Sequence, residues 1–397
     1  MRGIITRARA VALHLGWEEV MMATVRLRVE TITPLFLGGA DPLGEPELRA
    51  VSFRGVLRFW WRALVAGVIG DAHLDRLRQE ETAVFGQTEN GSPIIVRVSG
   101  QARPQGAPMQ QPGVGYLFWS MLRTRRQYLP AGTSFSLILQ TRPGVRSDEP
   151  LNRLLASLWL LTHLGGIGSR ARRGAGSVQV MDVQGQLPSG VPELQVQSQS
   201  PQQLHDELAS GLRQLRALLG TGAPATMISP TPNFDVLHPD VCRIVVLNRT
   251  WNTWEQALDA VGQTFQNFRS RRQPDYLNVR NVVSGASPTL QPVERAAFGL
   301  PIVFYYCSLG GQQGILEGAA HDRRASPLLI RVVRLANRRY TMVITVFKAA
   351  LLESGEGLQL RRRGGPPISA PAPGLGILDT FLNDLGRTFP WLEVGGW

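Results

Sequence analysis

Residues 164–178 read LGGIGSRARRGAGSV. Arg170, Arg172 and Arg173 sit inside a frame of glycines, Gly166, Gly168, Gly174 and Gly176, between two apolar segments. Glycine lets a backbone approach a ligand closely. Combined with arginine, it can bring N–H and guanidinium groups onto phosphate from one side. A P-loop needs Gly-Lys-Ser/Thr and runs from strand into helix, and the Rossmann glycine fingerprint also follows a strand. Here the order is reversed and the stretch has no lysine. A merely flexible loop would explain the glycines but not the arginine density.

A second basic element begins at Ser52. Arg54, Arg58 and Arg62 recur at i, i+4 and i+8, drifting only ~40° per step along one side of a helix. Leu57, Trp60, Trp61 and Leu64 form an apolar stripe at i, i+3, i+4 and i+7. The pattern predicts a face packed on a sheet and an adjacent edge offering three guanidinium groups to phosphate, with few carboxylates in reach. A solvated basic face is the alternative. Trp60 and Trp61 invite a base-stacking role, but their spacing with the leucines favours a core. Arg323 and Arg324, in HDRRASPLLIRV (321–332), stand directly before a strand; RSRR (269–272) and RRRGG (361–365) add further positive loops. Singly, such runs read as solvated surface. Together they predict a distributed electrostatic path.

Catalytic signals are sparse. His14, His73, His163, His205, His238 and His321 stand apart, with no HExxH spacing, and neither GxSxG nor a Cys–His signature occurs. His163 closes an apolar helix and reads as a packing residue. Asp41, in FLGGADP, is the one weak catalytic candidate, a lone carboxylate able to help hold a metal; a turn before Pro42 is the favoured reading. No metal site and no cofactor are expected.

The elements that position these residues follow from periodicity. TVRLRVETI (24–32) alternates as a strand. Helices are expected from Ser52 and over 73–84 and 150–164, with strands over 94–99, 133–140 and 177–183. That order is the split βαβ, ferredoxin-like plan, shared with RNA-recognition-motif domains. The second half predicts helices over 202–219, 251–268 and 377–389, and strands over 241–247, 299–308, 326–335 and 340–348, a less clean version of the same plan. The fold class is therefore α+β: two ferredoxin-like βαββαβ domains with long inserted loops, at 101–115 and 184–201 among others. The expected divisions are an N-terminal arm (1–22), a first domain (23–200), a helix and connector (201–232) and a second domain (233–397).

Composition sets the partner class. The chain has 397 residues and a formal net charge of +12, which points to a polyanion. Lys348 is the only lysine, so nearly every phosphate contact would be made by guanidinium, which binds bidentately and stacks on bases. Cys242 and Cys307 are too few for a disulfide framework or a Cys-based zinc site; a reducing cytoplasm is the expected location. No apolar stretch reaches the ~18–20 residues of a membrane span. Glu18 and Glu19 stand where a signal peptide would want small residues, so the folded chain is expected to begin near Met21 or Met22.

Three stretches together, TPLFLGGADPLGEPELRAVSFRGVLRFWWRAL (33–64), LGGIGSRARRGAGSV and RRASPLLIRV (323–332), resemble the RAMP superfamily of CRISPR proteins. Within it they look most like the first RAMP subunit of the type III-B Cmr effector complex. The resemblance implies two ferredoxin-like folds and a non-catalytic RNA-binding subunit of an antiviral ribonucleoprotein. Its partners would be guide RNA, target RNA and the other subunits, with no homo-oligomer. The subunit would cap the backbone near the guide's 3′ end and help bind target RNA, while base pairing supplies sequence specificity, as in a DNA-targeting relative. RNA contacts are expected at Ser52, Arg54, Arg58, Gly166, Gly168, Arg170, Arg172, Arg173, Gly174 and Gly176, with Arg323 and Arg324 added by the basic cluster before their strand.

Related backbone subunits cut RNA with an aspartate in a loop comparable to that of Asp41, and others process guide RNA with histidine or tyrosine, for which His321 is the candidate. An endoribonuclease, metal-dependent or guide-processing, is thus one alternative. A structural cap whose basic loops dock partner subunits is the other.

Overall fold

The computed structural model describes residues 23–397 except 42, 101–102, 107–108, 222 and 272; the arm expected over 1–22 lies outside the described residues. In β1 (Thr24–Thr31), alternation buries Val25, Leu27 and Val29 and leaves Arg26 and Arg28 exposed. The chain continues through α1 (Ala50–Ile69), α2 (Leu74–Phe85), β2 (Ile94–Ser99) and two short helices, α3 (Pro112–Leu117) and α4 (Trp119–Arg123). Then come β3 (Ser134–Thr141), α5 (Glu149–Leu164) and β4 (Val178–Gln184). The strands form one antiparallel sheet in the order β2-β3-β1-β4, the ferredoxin-like order. The stripe of Leu57, Trp60, Trp61 and Leu64 packs with Leu154, Leu158 and Leu161 of α5 against Val25, Leu27 and Leu137. Both tryptophans are core, as their spacing predicts.

The second half repeats the plan. After α6 (Pro201–Leu218), capped by Ser200 accepting from the Gln203 N–H, come β5 (Cys242–Leu247), α7 (Trp254–Ser270) and α8 (Gln273–Val283). The strands β6 (Ile302–Tyr306), β7 (Gln312–Gly318), β8 (Leu328–Arg334), β9 (Tyr340–Phe347), β10 (Leu358–Arg362) and β11 (Ile368–Ala370) precede α9 (Gly376–Thr388) and β12 (Trp391–Glu393). One sheet runs β12-β5-β9-β8, the same order as the first when these strands are ranked along the chain. Two ferredoxin-like units are present.

The less clean order of the second half has a structural cause. The segment from α8 to β7 is inserted before β8, and β10–β11 before α9. The two insertions meet as an accessory antiparallel sheet, β11-β10-β7-β6, with Val279 and Val282 of α8 in its core beside Leu316, Leu358 and Leu360. Helix α8 and strands β7, β10, β11 and β12 were not expected from periodicity, being short or lacking a sustained alternation. The strand expected over 299–308 is confined to β6, and Cys307–Leu309 form a 3₁₀ turn.

Arg331 of β8 couples the two units. It is completely buried and donates to the carbonyl oxygens of Leu161 (3.3 Å), Thr162, Gly165 and Val178 (2.7 Å). The carbonyls at the end of α5 after Leu161 lack intrahelical partners and carry the negative end of its dipole, so a buried cation meets its acceptors there. Among the described residues no helix is long and apolar enough to cross a membrane.

Candidate nucleic-acid interface

The Gly/Arg loop is tightly built. Ile167 N–H donates to the Gly176 carbonyl (2.9 Å), Ser169 N–H to Phe36 (2.8 Å) and Gly176 N–H to Pro34 (2.8 Å). The Thr33 hydroxyl donates to the Gly174 carbonyl (2.7 Å). Ala171–Arg173 make one 3₁₀ turn between left-handed Arg170 (φ 61°) and Gly174 (φ 85°). At Gly176 (φ 60°) a β-carbon would collide with the Ile167 carbonyl, and at Gly174 with the Leu258 side chain of α7. These two glycines let chain pack on chain; neither lines the space where a ligand would sit.

That space is a cleft of about 1380 Å³ between the two units. Its walls are residues 36–39, one side of α1, α4, the loop 165–173, the end of α7 and the segments 298–304 and 323–326. Among the described residues eight arginines line it, Arg49, Arg170, Arg172, Arg173, Arg269, Arg295, Arg323 and Arg324, and no aspartate or glutamate does. The crowding is felt by the groups themselves. Burial and then the neighbouring Arg269 hold the Arg170 guanidinium below its ordinary value, and the same two causes act on Arg295. Buried Arg269 Nε, Arg295 Nη2 and Arg49 Nε have no hydrogen-bond acceptor among the described residues. Mutually repelling cations are relieved by an anion.

The expected contacts divide into distinct groups. Ser52, Gly166, Gly168, Arg170, Arg172, Arg173, Arg323 and Arg324 line the cleft. Arg323 is widely exposed, and Arg170 donates through Nε to Ser120 Oγ (2.8 Å). Arg172 Nη2 lies 2.7 Å from Asp235, with its guanidinium 5.0 Å over the Phe59 ring. Arg173 is a strut: it donates to Ser326 Oγ (2.9 Å) and the Phe298 carbonyl (2.7 Å) and lies 5.0 Å over the Phe265 ring. Burial, then Arg269, pushes its guanidinium down to about 9.

The basic edge of α1 differs from expectation. Glu81 of α2 pairs with Arg58 and stands 3.6 Å from Arg62. Arg54 donates to the Phe85 carbonyl (2.9 Å) and Ser92 Oγ (3.4 Å). Neither Arg54 nor Arg58 lines the cleft. The acid-poor edge read from the helix alone is closed by a carboxylate that only helix packing brings in.

Four cleft residues escaped the sequence reading as individual contacts: Arg49, Arg269, Arg295 and Trp119. Trp119 is 50% exposed on the cleft wall, with the Arg123 guanidinium 5.1 Å from its ring. The run WSMLRTRR (119–126), an aromatic followed by three arginines, was the available signal.

The catalytic candidates stand elsewhere. Asp41 Oδ1 accepts the Leu43 N–H (2.9 Å), a turn contact, and Asp41 is not among the cleft-lining residues. His321 pairs with Glu356 at 2.8 Å. His163 is buried and stacked on Trp159 with ring centroids 4.2 Å apart. No group of three or more potential metal ligands occurs among the described residues.

A sequence model of the RAMP superfamily matches residues 28–179. The chain is 36% identical over 179 residues to the CRISPR system Cmr subunit Cmr1-2 of Pyrococcus furiosus, covering 38% of this chain and 92% of that protein. It is 27% identical over 330 residues to subunit Cmr1-1 of the same organism, covering 81% and 86%. Its fold is similar to the crystal structure of Pyrococcus furiosus Cmr1, with a TM-score of 0.63 at 21% identity over 94% of this chain and 99% of that one. It is also similar to a chain of the type III-B Cmr-beta cryo-EM structure bound to cognate target RNA, with a TM-score of 0.56 at 12% identity over 92% and 99%. With two paired ferredoxin-like sheets and a relative that it spans almost end to end at 36% identity, the chain belongs to the RAMP superfamily, in the Cmr1 family of CRISPR subunits.

Proposed function

We propose that this chain is a non-catalytic RNA-binding subunit of a type III-B CRISPR effector complex, working in the cytoplasm and holding RNA along the arginine cleft. The observation that carries the reading is the cleft itself, whose walls hold eight arginines and no carboxylate among the described residues. The relatives' names supply the complex: they are Cmr subunits, and one fold neighbour was solved with target RNA. The proposed place is the cap of the backbone near the guide's 3′ end, where the subunit helps bind target RNA. The first RAMP unit would span 23–200 and the second 233–397, joined by 201–232.

In this reading Arg170 and Arg323 reach backbone phosphates from the two lips, and Arg269 and Arg295 add positive charge from the wall. Arg172 and Arg324 act as a fixed positive surface, aimed by Asp235. Trp119 presents a ring on which a base can stack. Contacts of this kind hold backbone and shape, and sequence is read by pairing between the RNA strands. Asp41 and His321, the two groups considered for strand cleavage, lie outside the cleft walls, so bound RNA is held uncut.

Fluorescence anisotropy of labelled single-stranded RNA across a salt series tests this, with the RNA run on a gel afterwards. Salt-sensitive binding of intact RNA is expected. In Arg170→Ala/Arg323→Ala the salt slope should fall by about 0.7 for each phosphate that is no longer neutralised. An unchanged slope removes both residues from the interface, and cleaved RNA overturns the non-catalytic reading.

A further inference from the structure

We propose that the outward face of the accessory sheet is a second contact for single-stranded RNA, taking up the strand where it leaves the cleft. This rests on the cleft holding RNA. Strand alternation sets the face. On β6, Phe304 and Tyr306 are buried, the latter donating to the Tyr276 carbonyl of α8 (3.1 Å). Val303 and Tyr305 therefore turn outward, 45% and 55% exposed. Pairing lays Tyr305 beside Gln313, Val303 beside Ile315, and Ile315 beside Arg361 of β10. Arg363, one residue beyond the last pair of β10, continues the row and is exposed. Glu317, the carboxylate that β7 places on this side, is buried and paired with Arg361. The face thus offers an aromatic ring, aliphatic side chains and guanidinium groups, with its carboxylate already spoken for.

Single-stranded RNA is recognised by this combination: bases stack on aromatic rings of an open sheet while arginines take the backbone. Among the described residues, no strand outside β6 carries an exposed large apolar side chain. The neighbouring β6–β7 turn is shaped around the ring, since a β-carbon on Gly311 (φ 83°) would press to 2.9 Å from Tyr305 Oη. A depression of about 430 Å³ beside that turn is lined by Arg361, Arg362 and Arg363 and, among the described residues, by no carboxylate. The face is continuous with the cleft. Val303 belongs to the cleft wall as well, and the cleft's Arg324 bridges by backbone to Leu300, just before β6.

The test uses the full chain and oligouridylates of about 5 and about 16 nucleotides, the range of single-strand sites. Anisotropy is read for wild type, Tyr305→Ala, Tyr305→Phe and Arg363→Ala. The longer RNA should bind Tyr305→Ala about tenfold more weakly, the size of one base–aromatic stack. Tyr305→Phe should bind it as wild type does. Arg363→Ala should lower the salt slope by about 0.7 for the longer RNA alone. The short RNA should not distinguish the four proteins. Equal affinities at both lengths overturn the sheet contact while leaving the cleft in place. Wild-type protein that binds neither RNA removes the cleft reading and this one with it. Failure of Tyr305→Ala to join its partner subunits, with RNA affinity intact, assigns the face to protein and overturns the proposal.

Discussion

Arg172 Nη2 stands 2.7 Å from the carboxylate of Asp235, and the same carboxylate has Arg324 at 3.5 Å. One buried acid, 5% exposed, thereby gathers an arginine from the loop of the first unit and an arginine from the segment before β8. It lies behind the cleft wall, so it aims these cations without placing negative charge on the surface that RNA would meet.

Asp235→Asn should therefore act on stability and on cleft geometry together. Removing one partner of a buried charge group leaves the others uncompensated and typically costs ~3–5 kcal/mol. A clear drop in thermal midpoint, with RNA binding weakened in the folded fraction, is expected from paired melting and anisotropy measurements. A midpoint equal to wild type would mean that the pairing contributes nothing to the fold.

Arg173 and Arg170 should separate cleanly although three residues apart. Arg173→Ala removes the donor to the buried Phe298 carbonyl, and a buried acceptor left unsatisfied costs about 1–3 kcal/mol. Its melting temperature should fall sharply. Arg170→Ala should leave melting close to wild type and weaken RNA binding. The reverse pattern would exchange the roles of strut and contact.

Gly176→Ala should destabilise the loop through the backbone. The residue sits at φ 60°, and its β-carbon would meet the Ile167 carbonyl. Holding a non-glycine residue in this region costs of order 1–3 kcal/mol, and the collision adds to it. Chemical denaturation should show the loss. A neutral substitution would indicate that the loop relaxes freely.

His321 and Glu356 should titrate as a pair. Its hydrogen bond and charge contact with Glu356 raise the His321 imidazole above 6.5. Burial pushes the Glu356 carboxyl up, but hydrogen bonds from His321 and Ala320 outweigh it and bring the group to about 2. The histidine's contribution to stability is complete below 6.5 and is lost as pH rises through its raised value. The carboxylate's is complete above 4.5 and is lost as pH falls toward 2. The joint contribution is intact between 4.5 and 6.5. NMR titration of the His321 ring should show the upward shift, and Glu356→Gln should reduce it to the smaller part that Glu353 and Asp322 sustain; an unshifted ring in wild type would refute the pairing.

Much of this architecture is written locally. The alternation of TVRLRVET sets β1, and the spacing of Leu57, Trp60, Trp61 and Leu64 sets the buried face of α1, because side-chain direction follows backbone period. The arginines of 164–178 mark the cleft for a similar reason: charge density survives in the primary order. What each arginine does was decided only in three dimensions. Arg58 meets Glu81, Arg172 meets Asp235 and Arg173 vanishes into the Phe298 backbone, through partners 23, 63 and 125 positions away in the numbering. The accessory sheet is likewise assembled from two separated insertions, with Arg361 paired to Ile315. Periodicity reports which way a side chain points along its own element. Only tertiary packing decides which distant carboxylate or carbonyl waits there, and so which cations remain open in the cleft.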